Sequence, residues 1–174
     1  MKIKAVIAAV VLAALSLTGC SAPSEKGLEY LQEEEYDKAI EEFQKAVDKD
    51  DNPGDAYRGI GIAKWEQEDY EGALEAFKSA LENGAEKTGT LYNFIGCCAL
   101  RVGDAAAALN YFNLGISQED ISEELLQEMK FNGVSAYEQM EDWESAMSKL
   151  QEYLQEYPDD EKAQKEMTFL ETRL

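Results

Sequence analysis

A short pattern recurs along this chain, and its period limits the possible folds more than any other feature of the sequence. In each of four segments an alanine is followed four residues later by a phenylalanine or leucine. A period of this length is typical of a supersecondary unit that buries its apolar face by stacking on its neighbours. The sequence therefore predicts a repeat array. The successive alanines are Ala39, Ala73, Ala108 and Ala146, which lie 34, 35 and 38 residues apart.

Each segment divides into two amphipathic helices of about a dozen residues, because apolar residues recur at helical spacing. The clearest stripe lies in residues 73–81, where apolar residues recur every three or four positions. No stretch has the alternation that indicates a strand, so the predicted fold is all-α. Small residues at Gly27, Gly61 and Gly96 are expected to let the two helices of a pair approach closely. The breaks between paired helices are predicted at Glu35, Asp69, Gly103 and Asp142.

These features resemble the tetratricopeptide repeat, a 34-residue helix-turn-helix with the pattern W-x2-L-G-x2-Y, A-x3-F and a closing proline. The resemblance implies a right-handed superhelix of about four repeats over residues 24–174, capped by the amphipathic helix after Pro158. The fourth segment departs from the pattern. It has Gly133 where leucine is usual and Val134 in place of the packing glycine, and extra residues at 117–127 predict a longer loop or a lengthened helix.

The N-terminus carries a basic start and then an uncharged apolar run of thirteen residues, 5–17, which is too short to span a bilayer. The run ends in Leu17-Thr18-Gly19-Cys20, which resembles the lipobox of bacterial lipoproteins. This resemblance implies a signal peptide at 1–19 and an acylated Cys20 with a short linker, residues 20–23. It also implies an exported protein on the cell membrane or outer membrane, facing outside the cytoplasm. An ordinary signal peptide or an N-terminal membrane helix, with Cys20 incidental, remains the alternative.

Composition removes several classes of function. A net charge of −20 argues against nucleic acid as a partner, since binding it requires a basic surface. The absence of histidine excludes imidazole-based catalysis and histidine-ligated metal sites. An acidic run at 48–55 lacks the glycine and glutamate of a calcium loop. We expect no enzyme activity, catalytic residue, cofactor, metal or small-molecule substrate. The adjacent Cys97 and Cys98 are expected to be small packing residues, because a disulfide between neighbours would break the helix.

The tetratricopeptide resemblance implies a concave groove, lined by the first helices, that binds a peptide or helix of a partner protein. The leading hypothesis is a membrane-anchored interaction adaptor of the bacterial cell envelope. The alternative is a self-assembling structural module, acting through the cap helix or aromatics such as Phe169, or an accessory factor of an envelope or secretion assembly. A third possibility for the groove is that its arginines pair with nearby glutamates while Trp65 packs between repeats. The predicted groove residues are Arg58, Ile62, Trp65, Asn93, Cys97, Leu100 and Arg101.

Overall fold

The computed structural model describes residues 25–119 and 121–173, and these form nine α-helices with no strand among them. The predicted signal peptide and Cys20 lie outside the described residues. None of the described helices is long and apolar enough to cross a membrane. The helices are α1 (Glu25–Gln32), α2 (Tyr36–Asp48), α3 (Pro53–Glu66), α4 (Tyr70–Glu82), α5 (Gly89–Arg101), α6 (Ala105–Ile116), α7 (Glu123–Gln139), α8 (Trp143–Glu156) and α9 (Glu161–Leu170).

Tight turns join the paired helices at the four predicted breaks, which are confirmed. At Asp69, Asp104 and Asp142 the side chain accepts a hydrogen bond from the backbone N–H three residues on, which satisfies one free donor at the helix start. The residue before the aspartate has a positive φ in each of these turns. Glycine adopts this conformation freely at Gly103, whereas Glu68 at φ 63° does so at a steric cost.

The helices group into two compact units, the first comprising α1–α4. Its core is built around phenylalanines that lie against glycines. Phe43 of α2 lies between Gly27 of α1 and Gly59 of α3, where an added Cβ would come within 2.7 Å and 2.6 Å of its ring. Gly61 of α3 has the same relation to Phe77 of α4, at 2.5 Å. A side chain at these glycines would displace a fully buried ring, so the predicted packing role of the glycines is confirmed.

The second unit comprises α5–α9. In its first helix pair, a Cβ on Gly96 would lie 2.5 Å from the ring of Phe112. In the next pair Val134 and Leu150 are buried in one apolar cluster. The helix α9 packs on α8 and adds Leu170 to that cluster, as expected of a cap. The extra residues after the third segment form both a connecting segment and a longer helix, because α7 has 17 residues against 13 in α5.

Candidate partner-binding surface

Two buried polar side chains occupy the same position in successive repeats. Arg58 and Asn93 are each 8% exposed, and they are the polar or charged side chains that are buried in the described part of the chain. Each precedes the packing glycine of its helix by three residues, Gly61 in α3 and Gly96 in α5. Because burying polar groups is costly unless they are paired, this coincidence marks one helix face in both repeats.

In the first unit this face consists of Arg58, Ile62 and Trp65, whose spacing of four and three residues places them on one side of α3. Arg58 Nη2 lies 2.7 Å from Asp55 Oδ1 in an ion pair. Both Arg58 Nη2 and Arg58 Nε are buried, and neither makes a hydrogen bond to a described residue. Ile62 is 5% exposed. Trp65 is half-buried and meets the ring of Tyr70 edge to face at 5.2 Å.

In the second unit the corresponding residues join α5 to α7 through a polar network. Asn93 Nδ2 donates to Glu128 Oε1 at 3.0 Å. Asn132 Nδ2 lies 3.5 Å from Cys97 Sγ, and that thiol lies 3.7 Å from Asn93 Oδ1. The contribution of α7 was not predicted from sequence. It could have been, because each of these two contacts between helices spans 35 residues, which is one repeat period.

Leu100 and Arg101 lie at the end of α5. Leu100 is half-buried, and its carbonyl accepts a hydrogen bond from Gln139 Nε2 at 3.2 Å, whereas Arg101 is exposed. The structure therefore gathers Asn93, Cys97 and Leu100 onto contacts with α7 and leaves Arg101 at the surface. These four residues belong to the second unit, whereas Arg58, Ile62 and Trp65 belong to the first, and their role as one continuous groove stays a prediction.

Both cysteines of α5 are free thiols. Cys98 is fully buried, and burial raises its pKa to about 12. Burial also raises the pKa of Cys97, with a further increase from the nearby Glu128 carboxylate. Both side chains are therefore neutral thiols at physiological pH, without the thiolate that nucleophilic chemistry requires.

The equivalent face of α7 is different in character. The position of Arg58 and Asn93 is taken by Phe131, whose ring lies 4.2 Å from Lys162 Nζ. The position of Trp65 and Leu100 is taken by Glu138. Burial and the adjacent carboxylate of Glu166 raise the pKa of Glu138 to about 7. This acidic position was missed from sequence, although counting four residues on from Val134 identifies it.

Paired antiparallel helices, glycine-phenylalanine contacts inside each pair and a terminal cap helix together define a helical-repeat protein. The models of the tetratricopeptide repeat family match residues 24–88 and 133–160. The chain therefore belongs to the tetratricopeptide repeat family. The residues between the two matches include α5 and α6, where Gly96 and Phe112 reproduce the packing of the matched repeats.

Solved structures share this fold at low sequence identity. A crystal structure of the MamA protein is 14% identical, with a TM-score of 0.75, over 86% of this chain and 79% of that one. YrrB, described as a TPR protein with an unusual peptide-binding site, is 22% identical, with a TM-score of 0.67, over 79% and 68%. A tetratricopeptide repeat protein from Parabacteroides merdae is 21% identical, with a TM-score of 0.70, over 86% and 57%. No curated protein sequence matches the chain.

Proposed function

We propose that the chain is a protein-interaction adaptor that holds a segment of a partner protein against the first helices of its repeats. One observation carries this proposal: the buried polar side chains Arg58 and Asn93 occupy the same repeat position, on helices whose other buried residues are apolar or glycine. Both side chains can bond to a peptide backbone, since a guanidinium donates and an amide donates and accepts. The peptide-binding site of YrrB, which has a similar fold, supports a peptide as the occupant.

Self-assembly through the cap helix is less well supported by the same structure. Phe169 is 39% exposed, but its ring meets Trp143 edge to face at 6.4 Å, and the Arg173 guanidinium lies 4.8 Å from its centroid. The aromatic surface is thus partly used within the chain. Two copies that each carry a charge of −20 also repel one another. Light scattering of the protein at rising concentration separates the two functions, because a constant monomer mass counts against self-assembly.

The test of the groove is photo-crosslinking in cells, followed by identification of the attached protein. The variant replaces Arg58, Trp65 and Arg101 by alanine. A matched control, Lys45→Ala with Lys78→Ala, removes the same positive charge from α2 and α4. We expect the crosslinked partner to be lost from the first variant and kept by the control, with equal helical content in both. Capture of the same partner by both variants with equal yield would show that the groove is not the binding surface.

We also propose that the chain is lipid-anchored through Cys20 to a bacterial membrane and faces outside the cytoplasm. The support is the segment Leu17-Thr18-Gly19-Cys20 after a basic start and an apolar run. Acyl chains on one cysteine would hold the protein firmly, since each buried methylene contributes about 0.8 kcal/mol. The linker, residues 21–23, spans roughly 10 Å at ~3.5 Å per residue, so the repeats would stay close to the lipid headgroups.

Mass spectrometry of the mature protein tests the anchor. The expected N-terminus is an acylated Cys20, and a Cys20→Ala variant is expected to leave the membrane fraction or to remain uncleaved. An unmodified N-terminus at another residue would refute the lipid anchor while leaving the adaptor proposal intact.

A further inference from the structure

The fourth repeat lacks a core side chain that the second and third repeats have. The residue just before the packing position is Ile60 in α3 and Ile95 in α5, and these are 5% and 0% exposed. In α7 the same place is taken by Gly133. A Cβ built there would meet only Leu109 Cδ2, at the ordinary contact distance of 3.8 Å. The helix therefore leaves open the space that an isoleucine fills elsewhere.

That space is part of a cavity of about 210 Å³ within the second unit, between α6, α7 and α8. Its apolar wall includes Leu109 and Phe112 of α6, Met129 of α7 and Tyr153 of α8. Around it lie two ion pairs that bring lysine ammonium groups against glutamates. These are Lys130 with Glu156 at 2.5 Å and Lys149 with Glu152 at 2.7 Å.

The cavity is separate from the partner-binding face described above. Phe131, at the position of Arg58 and Asn93, precedes Gly133 by two residues. At about 100° per residue these two positions lie roughly 200° apart around α7. The cavity therefore lies on the opposite side of the helix from the face to which the adaptor proposal refers.

Size and charge identify the kind of occupant. Small-molecule sites usually enclose about 300–1,000 Å³, so this cavity is small for a cofactor or metabolite. It suits one large side chain of the kind that anchors protein interfaces. The two lysines and two glutamates at its edge pair with one another and balance in charge, so the net charge of −20 of the chain as a whole sets the surrounding potential. This potential repels a second copy and attracts a basic segment.

We propose that the cavity at Gly133 binds a single aromatic side chain of a partner protein, carried on a segment with lysine or arginine on either side. The aromatic ring fills the space of the missing side chain, and its basic neighbours lie near Glu152 and Glu156, whose side chains are 58% and 51% exposed. This is a second site, and it does not depend on the adaptor groove.

The test measures binding of two synthetic peptides to the full 174-residue chain in detergent. One peptide has a central tryptophan with lysines at both ends, and the other has alanine in place of the tryptophan. We expect the tryptophan peptide to bind at least about tenfold more tightly. Gly133→Leu should remove that difference by filling the cavity. The matched control Ala106→Leu adds the same side chain at an exposed position of α6 and should keep it.

A second variant, Glu152→Gln with Glu156→Gln, leaves the cavity open and should weaken the lysine-flanked peptide. Equal binding of the tryptophan peptide by the Gly133→Leu and Ala106→Leu proteins would overturn the proposal. So would free indole binding as tightly as the tryptophan peptide, which would indicate a small-molecule site. Concentration-dependent self-association that Gly133→Leu abolishes would assign the cavity to a second copy instead.

Discussion

The third and fourth repeats fill the contact between their two helices with different residues at equivalent positions. In the third, the missing side chain of Gly96 makes room for the ring of Phe112. In the fourth, Val134 and Leu150 are 1% and 0% exposed in one cluster, so two medium side chains replace a small and a large one. The glycine of the fourth repeat lies one position earlier, at Gly133, where it leaves a cavity instead of making a contact.

This difference indicates that packing between the two helices of a repeat depends less on the identity of either residue than on the combined volume of the two residues that meet there. Cores tolerate exchanges that conserve total volume and resist additions that do not. A glycine in the pattern therefore has two opposite meanings. At 96 it is required by a neighbouring ring, and at 133 nothing lies close enough to exclude a side chain.

The largest expected effect comes from Gly96→Val, which gives the third repeat the residue of the fourth without its partner. The new Cβ would lie 2.5 Å from the Phe112 ring, so the pair must separate or the ring must move. We expect the free energy of unfolding to be about 2–3 kcal/mol lower than in the wild type. Urea unfolding followed by circular dichroism measures this. Ala106→Val, at an exposed position of α6, is the control, and an equal loss in both variants would contradict the packing account.

Adding Phe112→Leu to Gly96→Val should restore part of that loss, because the double variant has the residue pair of the fourth repeat. The double variant should lose less stability than the sum of the losses in the two single variants, by about 1 kcal/mol or more. The double-mutant cycle measures this coupling directly. Additive single effects would mean that the valine-leucine pair in the fourth repeat depends on its surroundings, not on the exchange itself.

Gly133→Leu should have the opposite sign to Gly96→Val. Leucine favours the helical conformation over glycine by about 1 kcal/mol, and its side chain enters open space. We expect the free energy of unfolding to rise by about 1 kcal/mol, measured under the same conditions. A loss of stability would show that the side chains around Gly133 close the cavity in solution.

The smallest expected effect is on the pH dependence of stability. It comes from Glu138, which occupies in the fourth repeat the position that Leu100 occupies in the third. Burial and Glu166 raise the pKa of Glu138 to about 7, from 4.5, against the opposing influence of Lys162. The folded protein then binds a proton more tightly than the unfolded chain, so this stabilising contribution is complete below pH 4.5 and is lost as the pH rises towards 7.

Glu138→Gln, which cannot titrate, should reduce the fall in stability between these two pH values. The measurement compares urea midpoints of the two proteins across the range. Parallel curves would show that Glu138 titrates normally.

Most of the fold follows from the sequence, because helix breaks and close contacts depend on local residue types. The aspartates and glycines at the turns and the alanine period were sufficient to place them. The site was less accessible to prediction. The sequence places Arg58 on the groove face, but it did not indicate that the side chain is 8% exposed and paired with Asp55. Its burial depends on how the surrounding helices pack, which one helix face does not reveal.

The cavity was even harder to predict from the sequence, because it also depends on packing between helices. The sequence alone identifies Gly133 as unusual, but a missing side chain leaves an opening only if its neighbours do not move in to fill it. That depends on the rotamers of side chains such as Leu109 and Met129, which belong to separate helices.

In each repeat a residue of the first helix packs against a residue of the second, as Gly61 does against Phe77, and the spacing of these pairs affects how such a chain can evolve. Each pair lies within one repeat, and its two members are separated by 16 residues. A duplicated stretch of coding sequence one repeat long therefore carries both complementary residues with it, and the new copy arrives already matched internally. Other contacts cross from one repeat to the next, since Phe43 is held by Gly59 of the following repeat as well as by its own Gly27. Recombination at a repeat boundary must therefore also preserve contacts that cross it, such as those of Phe43 with Gly59 and of Asn93 with Glu128.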